Sequence, residues 1–203
     1  MRKIILFLVT LLLGSQMLMC SNSTIGTISN QDIYPDTYLA YNIAIKALDA
    51  IDKSDYKALA AYIHPEKGVI FVPFTTISYD DGKNMIFSSD QIGKFADDNN
   101  VYNWGYIPNS QEYLKLTVSD YFKRYIWDQN YLNVNQIAIN FIIRTSNAIE
   151  NVTEVFKDAI FVEFYYKGTK ELEELDWSSL KIVMEKYNGE FKIVAIIHSN
   201  YVL

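Results

Sequence analysis

From Asp36 onward, Leu39, Ile43, Ala47, Leu48 and Ile51 recur on one helical face, which predicts an amphipathic helix started by Asp36. Ser54 reads as the cap of a second, shorter helix carrying Leu59, Tyr62 and Ile63. That helix should stop at His64, because the residue before Pro65 is pushed out of the α region. Gly68 then closes a turn, and Val69 to Phe74 is a short strand. Asp81-Gly82 marks a turn before another strand at Met85 to Phe87. Ser88 or Ser89 can cap a short helix through Phe95. Thr117 or Ser119 opens a helix over Asp120 to Trp127, with Tyr121, Phe122, Tyr125 and Ile126 on its apolar side. Residues Asn133 to Ile143 fit strand and helix equally, and Ile160 to Tyr166 reads as a strand.

The C-terminal end is sharper. Asn188-Gly189 is a strong hairpin signal and pairs Tyr187 with Glu190. Counting outward pairs Met184 with Ile193, Ile182 with Ala195 and Leu180 with Ile197, all six apolar and on one face. Glu185 then lies opposite Lys192. The other face would carry Val183 with Val194, Lys181 with Ile196, Ser179 with His198 and Trp177 with Asn200. Being half apolar, that face is expected to line a concavity or meet a partner.

The N-terminus carries an address. Arg2 and Lys3 precede ten uncharged residues, Ile4 to Leu13, nine of them strongly apolar, and Gly14, Ser15 and Gln16 end the run. This is too short for a spanning helix, which needs about 20 apolar residues, and fits an export signal; an uncleaved signal anchor is the alternative. The only cysteine, Cys20, follows, before Ser21, Asn22, Ser23 and Thr24. This resembles a bacterial lipoprotein signal, whose cysteine becomes the acylated first residue, although Met19 and Met17 stand where that pattern has a small residue and Leu. Residues 1–19 would be the signal, 20–35 a polar tether and 36–203 a single domain. With Cys20 used, no intrachain disulfide can form, so the fold must stand on its core.

Composition narrows the partners. The 203 residues are 50% hydrophobic, with sixteen Tyr and eleven Phe, a globular profile. The formal charge of −6 becomes −8 once Arg2 and Lys3 are lost with the signal, which argues against nucleic acid.

Helices leading into a sheet that ends in "KIVMEKYNGEFKIVAIIHSNY" resemble the nuclear transport factor 2-like cone fold. The stretches "HPEKGVIFVPF", "MIFSSDQI", "SDYFKRYIWD" and "LDWSSLKIVMEKYNG" are similar to a family of exported bacterial proteins of unknown function. The resemblance implies an α+β domain with N-terminal helices on a curved antiparallel sheet and a C-terminal β-hairpin. It assigns no chemistry, since the cone fold hosts enzymes, binding modules and dimerising adaptors.

Candidate chemistry is sparse. His64 sits where a capping or helix-dipole role is the ordinary explanation. His198 is either structural or one of few titratable groups able to serve a pocket. Glu163 interrupts an apolar strand; alternation groups it with Phe161 and Tyr165, either as an exposed-face carboxylate or as a functional acid in the cone interior. Trp104, Trp127 and Trp177 read first as core. Asp97 to Asn100 lack calcium-loop spacing, Glu171 to Asp176 read as a solvated loop, and Asn151-Val152-Thr153 is a chance sequon in an exported bacterial protein. No cofactor or metal is expected. The preferred reading is a non-enzymatic, membrane-tethered domain binding a small ligand, cell-wall material or a protein partner, with Trp177, Lys181 and His198 as ligand contacts. A cone-fold enzyme using Glu163 and His198 is the alternative, and dimerisation through the half-polar sheet face is a third.

Overall fold

The computed structural model describes residues 35–80, 84–110 and 112–201. Cys20, the signal, nearly all of the tether and the Asp81-Gly82 turn lie outside them. The class is α+β as expected: helices packed against a curved sheet whose last two strands form a long hairpin. Helix α1 (Asp36–Asp52) packs on the sheet through Ala40, Ala44, Ala47, Leu48, Ala50 and Ile51. Leu39 and Ile43 are only half-buried. The buried stripe is thus rotated toward the alanines, whose small side chains let the helix approach the strands closely.

Helix α2 (Tyr56–Tyr62) is capped by Asp55, which accepts the Ala58 N–H, rather than by Ser54. Ser54 takes a left-handed conformation, φ 52°, to turn the chain out of α1. The helix ends at Tyr62, two residues before the expected stop at His64, with Ile63 already extended. Gly68 does close the turn: its φ is +69°, and a Cβ there would lie 2.4 Å from the Phe87 carbonyl oxygen. Strand β1 (Val69–Val72) pairs with β2 (Met85–Phe87). Ser88 caps α3 (Ser89–Ile92) in a full capping box with Gln91.

The sequence did not disclose the next hairpin, β3 (Val101–Tyr106) with β4 (Tyr113–Thr117), which forms a separate two-stranded sheet. Thr117 caps α4 (Val118–Tyr121), and the chain continues as a π-turn over Phe122–Ile126. The expected Tyr121, Phe122, Tyr125 and Ile126 are its buried side. The ambiguous segment contains β5 (Gln136–Ile139), and α5 (Val152–Val155) follows. Strand β6 (Ile160–Tyr166) has the predicted bounds.

Strands β7 (Ser178–Tyr187) and β8 (Glu190–Asn200) complete a six-stranded sheet of order β2-β1-β8-β7-β6-β5. It is antiparallel except at one seam, where β1 runs parallel to β8. The hairpin starts in the predicted register, Tyr187 with Glu190, Glu185 with Lys192 and Met184 with Ile193. A bulge at Val194 then shifts it, so Val183 pairs with Ala195, Ile182 with Ile196 and Leu180 with His198. Beyond the bulge every β8 side chain is on the opposite face from that expected. Ile196 and His198 join Leu180 and Ile182 on the inner face; Ala195 and Ile197 join Val183 and Lys181 on the outer one.

The inner face is filled rather than hollow. Phe71 meets the rings of Phe87, Phe95, Trp104, Tyr121 and Phe122, and Trp104 stacks on Tyr121 at 3.7 Å. The outer face is covered by the chain's own segment 142–159, through Ile142, Val152, Val155, Phe156 and Ala159. The half-polar face expected to meet a dimer partner is therefore largely occupied from within.

Candidate functional site

Ser178 and Ser179 are neighbours on β7 and point to opposite faces. Each belongs to a separate buried polar network, and these networks place Glu163, Lys181 and His198.

On the outer face, Lys181 is fully buried. Its Nζ donates to Glu150 Oε2 at 2.8 Å and Ser199 Oγ at 2.9 Å, and lies 3.5 Å from Glu163 Oε1. Glu163, also fully buried, accepts from Ser179 Oγ and from the Ile143 N–H, both at 2.7 Å. It is neither an exposed carboxylate nor one in the cone interior, but is buried on the outer face. Glu150 and Ile143 belong to the covering segment, so this network fastens that segment to the sheet. Trp177 lies nearby under Arg144, 5.3 Å from guanidinium carbon to ring centroid, and beside Tyr165. With 1% exposure it presents no open platform.

On the inner face, His198 Nε2 lies 3.0 Å from Ser178 Oγ and 3.3 Å from Asp128 Oδ2. Ser178 donates to Asp128 Oδ2 at 2.8 Å and Tyr131 to Oδ1 at 2.7 Å. Burial pushes the Asp128 carboxyl upward, but hydrogen bonds from His198, Tyr131 and Ser178, with the attraction of His198, outweigh it and hold the group below its ordinary range. Burial, then Asp128, drive the Tyr131 phenol well above its usual value. His198 Nδ1 faces the Pro73 carbonyl at 3.0 Å, an acceptor only, so this nitrogen carries a proton and donates. This is not a nucleophilic triad: serine and carboxylate crowd the same ring nitrogen, while a carbonyl holds the other. Glu163 and His198 do not converge. They stand on opposite faces of the sheet, as do Lys181 and His198.

His64, 4% exposed, serves a turn rather than a helix end. Its Nδ1 accepts the N–H groups of Glu66 and Lys67 at 3.2 and 3.1 Å. Burial, with Lys67 acting in the same sense, holds its imidazole below the ordinary 6.5.

The feature that sequence reasoning missed is the turn after β1. His198 grips it twice: the ring donates to Pro73, and the main-chain carbonyl accepts the Thr75 N–H at 2.9 Å. Thr75 is fully buried, has φ +58°, and its hydroxyl has no hydrogen-bond partner among the described residues. A β-branched residue in the left-handed region costs roughly 1–3 kcal/mol and persists only where its surroundings over-determine it. Neighbouring bonds do so. Thr76 Oγ1 donates to the Ile149 carbonyl at 2.8 Å, and the Asn151 side-chain amide both donates to and accepts from the Ile77 backbone. Two open clefts of about 280 Å³ each meet at Phe74 and Thr76 on the outside of this turn. One is walled by Pro108, Asn109, Asn147 and Ile149, the other by Ser78, Asn84 and Tyr106. The only sequence signal was Pro73, which interrupts the apolar run of β1.

No family model and no curated protein matches the chain. Among solved structures it is similar to an NTF-2-like protein of unknown function from Shewanella oneidensis MR-1, at 13% identity over 82% of this chain and 100% of that one, TM-score 0.37. It is also similar to Aln2 from a Streptomyces species, at 9% identity over 82% of this chain and 92% of that one, TM-score 0.38. Both likenesses concern the fold alone, and the α+β class rests on the chain's own sheet order.

Proposed function

We propose that this chain is an exported bacterial lipoprotein whose domain, tethered through acylated Cys20, binds a ligand or partner at the cell envelope and does no chemistry on it. The basic start, the ten-residue uncharged run and the single cysteine after it support the address. Two or more acyl chains on Cys20 make a stable anchor, each buried CH₂ contributing about 0.8 kcal/mol. The likeness of "HPEKGVIFVPF" and "LDWSSLKIVMEKYNG" to an exported family points the same way.

One observation carries the binding reading: a strained, unexposed Thr75 is clamped from behind by His198 and carries two preformed clefts in front. The acid–base alternative needs Glu163 and His198 at one site, and they are on opposite faces of the sheet. Two measurements test the proposal. Cys20→Ser should release the protein from the membrane fraction, and unchanged retention refutes the anchor. Hydroxyl-radical footprinting of the full chain with envelope extract should protect residues 74–78 and 106–109; no protection there refutes the binding site.

A further inference from the structure

The residues around the two clefts define what they can hold. The hydrogen-bonding side chains facing them are neutral: Thr76, Ser78, Asn84, Asn109 and Asn147. Among the described residues, none that lines either cleft is charged. A charged ligand would leave its own charge without a counter-charge there, and a purely apolar one would strip water from amides and hydroxyls without replacing their hydrogen bonds. Aromatic surface is supplied by Phe74 and by Tyr106, which is 41% exposed and braced by a hydroxyl contact and ring packing against Tyr113 at 4.3 Å. All lining residues except Tyr106 come from turns and loops, so neither cleft offers the length of strand edge on which an extended peptide could build a ladder. The contrast lies on the outer face, over β2, β1 and the start of β8. There a cleft of about 370 Å³ is walled by Tyr79, Ile86 and Phe156 but rimmed by the ion-paired Lys67 and Glu185.

We infer that the paired clefts around Phe74 and Thr76 bind an uncharged glycan, one sugar ring lying on Tyr106 and its hydroxyls bonded to the flanking amides. This rests on the binding reading above and gives it a ligand class. Aromatic faces with a few placed neutral donors and acceptors match a molecule that is apolar on its ring faces and polar around its rim. The hydrogen bonds from Thr76 to the Ile149 carbonyl and from the Ser78 N–H to Asn84 Oδ1 tie lining residues of each cleft together in advance, which lowers the ordering cost of binding.

The test is calorimetric titration of the full chain with three tetrasaccharides of different charge: tetra-N-acetylchitotetraose (neutral), a hyaluronan fragment (anionic) and a chitosan fragment (cationic). The N-acetylated tetramer should bind at least about tenfold more tightly than either charged probe, with no loss at high salt. Tyr106→Ala should weaken it about tenfold, Tyr106→Phe should keep it, and Tyr79→Ala, on the separate cleft, should leave it unchanged. Stronger binding of a charged probe, dependence on Tyr79 rather than Tyr106, or no binding of any probe overturns the glycan assignment. Because footprinting with envelope extract does not depend on glycan identity, its protection of 74–78 would still stand if only the ligand class were wrong.

Discussion

The buried Lys181 network makes the most quantitative prediction. Lys181→Met keeps the length of the apolar stem, so it opens little cavity and isolates the loss of the charge. It removes the hydrogen bonds to Glu150 and Ser199 and the ion pair with Glu163. Breaking a buried pair from one side costs about 3–5 kcal/mol, because a charge is stranded away from water. Glu163 keeps its bonds from Ser179 and Ile143, and Glu150, whose side chain is 10% exposed, can turn outward. Both place the cost near the lower bound, about 3 kcal/mol. With a urea slope of roughly 2 kcal/mol per molar, the midpoint should fall by about 1.5 M. The melting temperature should fall by roughly 10 °C. Adding Glu163→Gln removes the stranded charge and should recover at least about 1 kcal/mol, a coupling readable in a double-mutant cycle. Lys53→Met, which breaks an exposed pair with Asp49, should leave the midpoint unchanged. If Lys181→Met behaves like Lys53→Met, the network does not fasten the covering segment and the reasoning fails.

Gly68→Ala combines a left-handed backbone with a Cβ 2.4 Å from the Phe87 carbonyl oxygen; it should cost about 2 kcal/mol or more by urea denaturation. For His64 the folded-state value lies below the unfolded 6.5, so the stability it contributes is complete above 6.5 and is lost as pH falls through the lower folded value. His64→Asn, which keeps an acceptor for the Glu66 and Lys67 N–H groups, should flatten that acid limb in a plot of urea midpoint against pH. Thr75→Gly relieves roughly 1–3 kcal/mol of backbone strain and deletes a buried hydroxyl that has no partner among the described residues, against about 1 kcal/mol of lost apolar burial. Unlike other truncations of fully buried residues it should not lower the melting temperature, yet it should weaken glycan binding by loosening the turn. A fall of about 8 °C would show that Thr75 is not strained.

Where local chemistry decides, the chain was legible. Asn188-Gly189 takes φ values of 50° and 85°, the pair of left-handed residues that a two-residue hairpin loop requires. Ser88 and Gln91 cap each other's backbone, and Ile160 to Tyr166 is an apolar and aromatic run, broken only by Glu163 and followed by Lys167-Gly168, which marks β6. Where alternation disappears, so does the register. Ile193 to Ile197 is an unbroken apolar run, and a run of period one cannot show which residue is extra, so the bulge at Val194 left no mark. The covering segment was hidden for a related reason: its grip on the sheet is made by Glu150 and by the Ile143 backbone, neither of which has an apolar rhythm. Asp128 and Tyr131 gave no signal because their partners on the sheet, Ser178 and His198, are 47 to 70 residues away in the chain.

The bulge also explains why the candidate site moved. Without it, His198 would share the outer face with Ser179 and Lys181, beside Glu163, and an acid–base cluster would be a sound reading. One inserted residue turns His198 through the sheet, to Asp128 and Ser178 on one side and to the Pro73 carbonyl on the other. The consequence is a division of labour between two polar networks built from consecutive serines. Lys181 and Glu163 hold the covering segment and, through it, the 147–151 wall; His198 holds the 73–76 turn from beneath. The clefts lie where these two supports meet. Their rigidity therefore depends on residues that never reach them, and bulge, strain and buried charges are all used to hold one turn still.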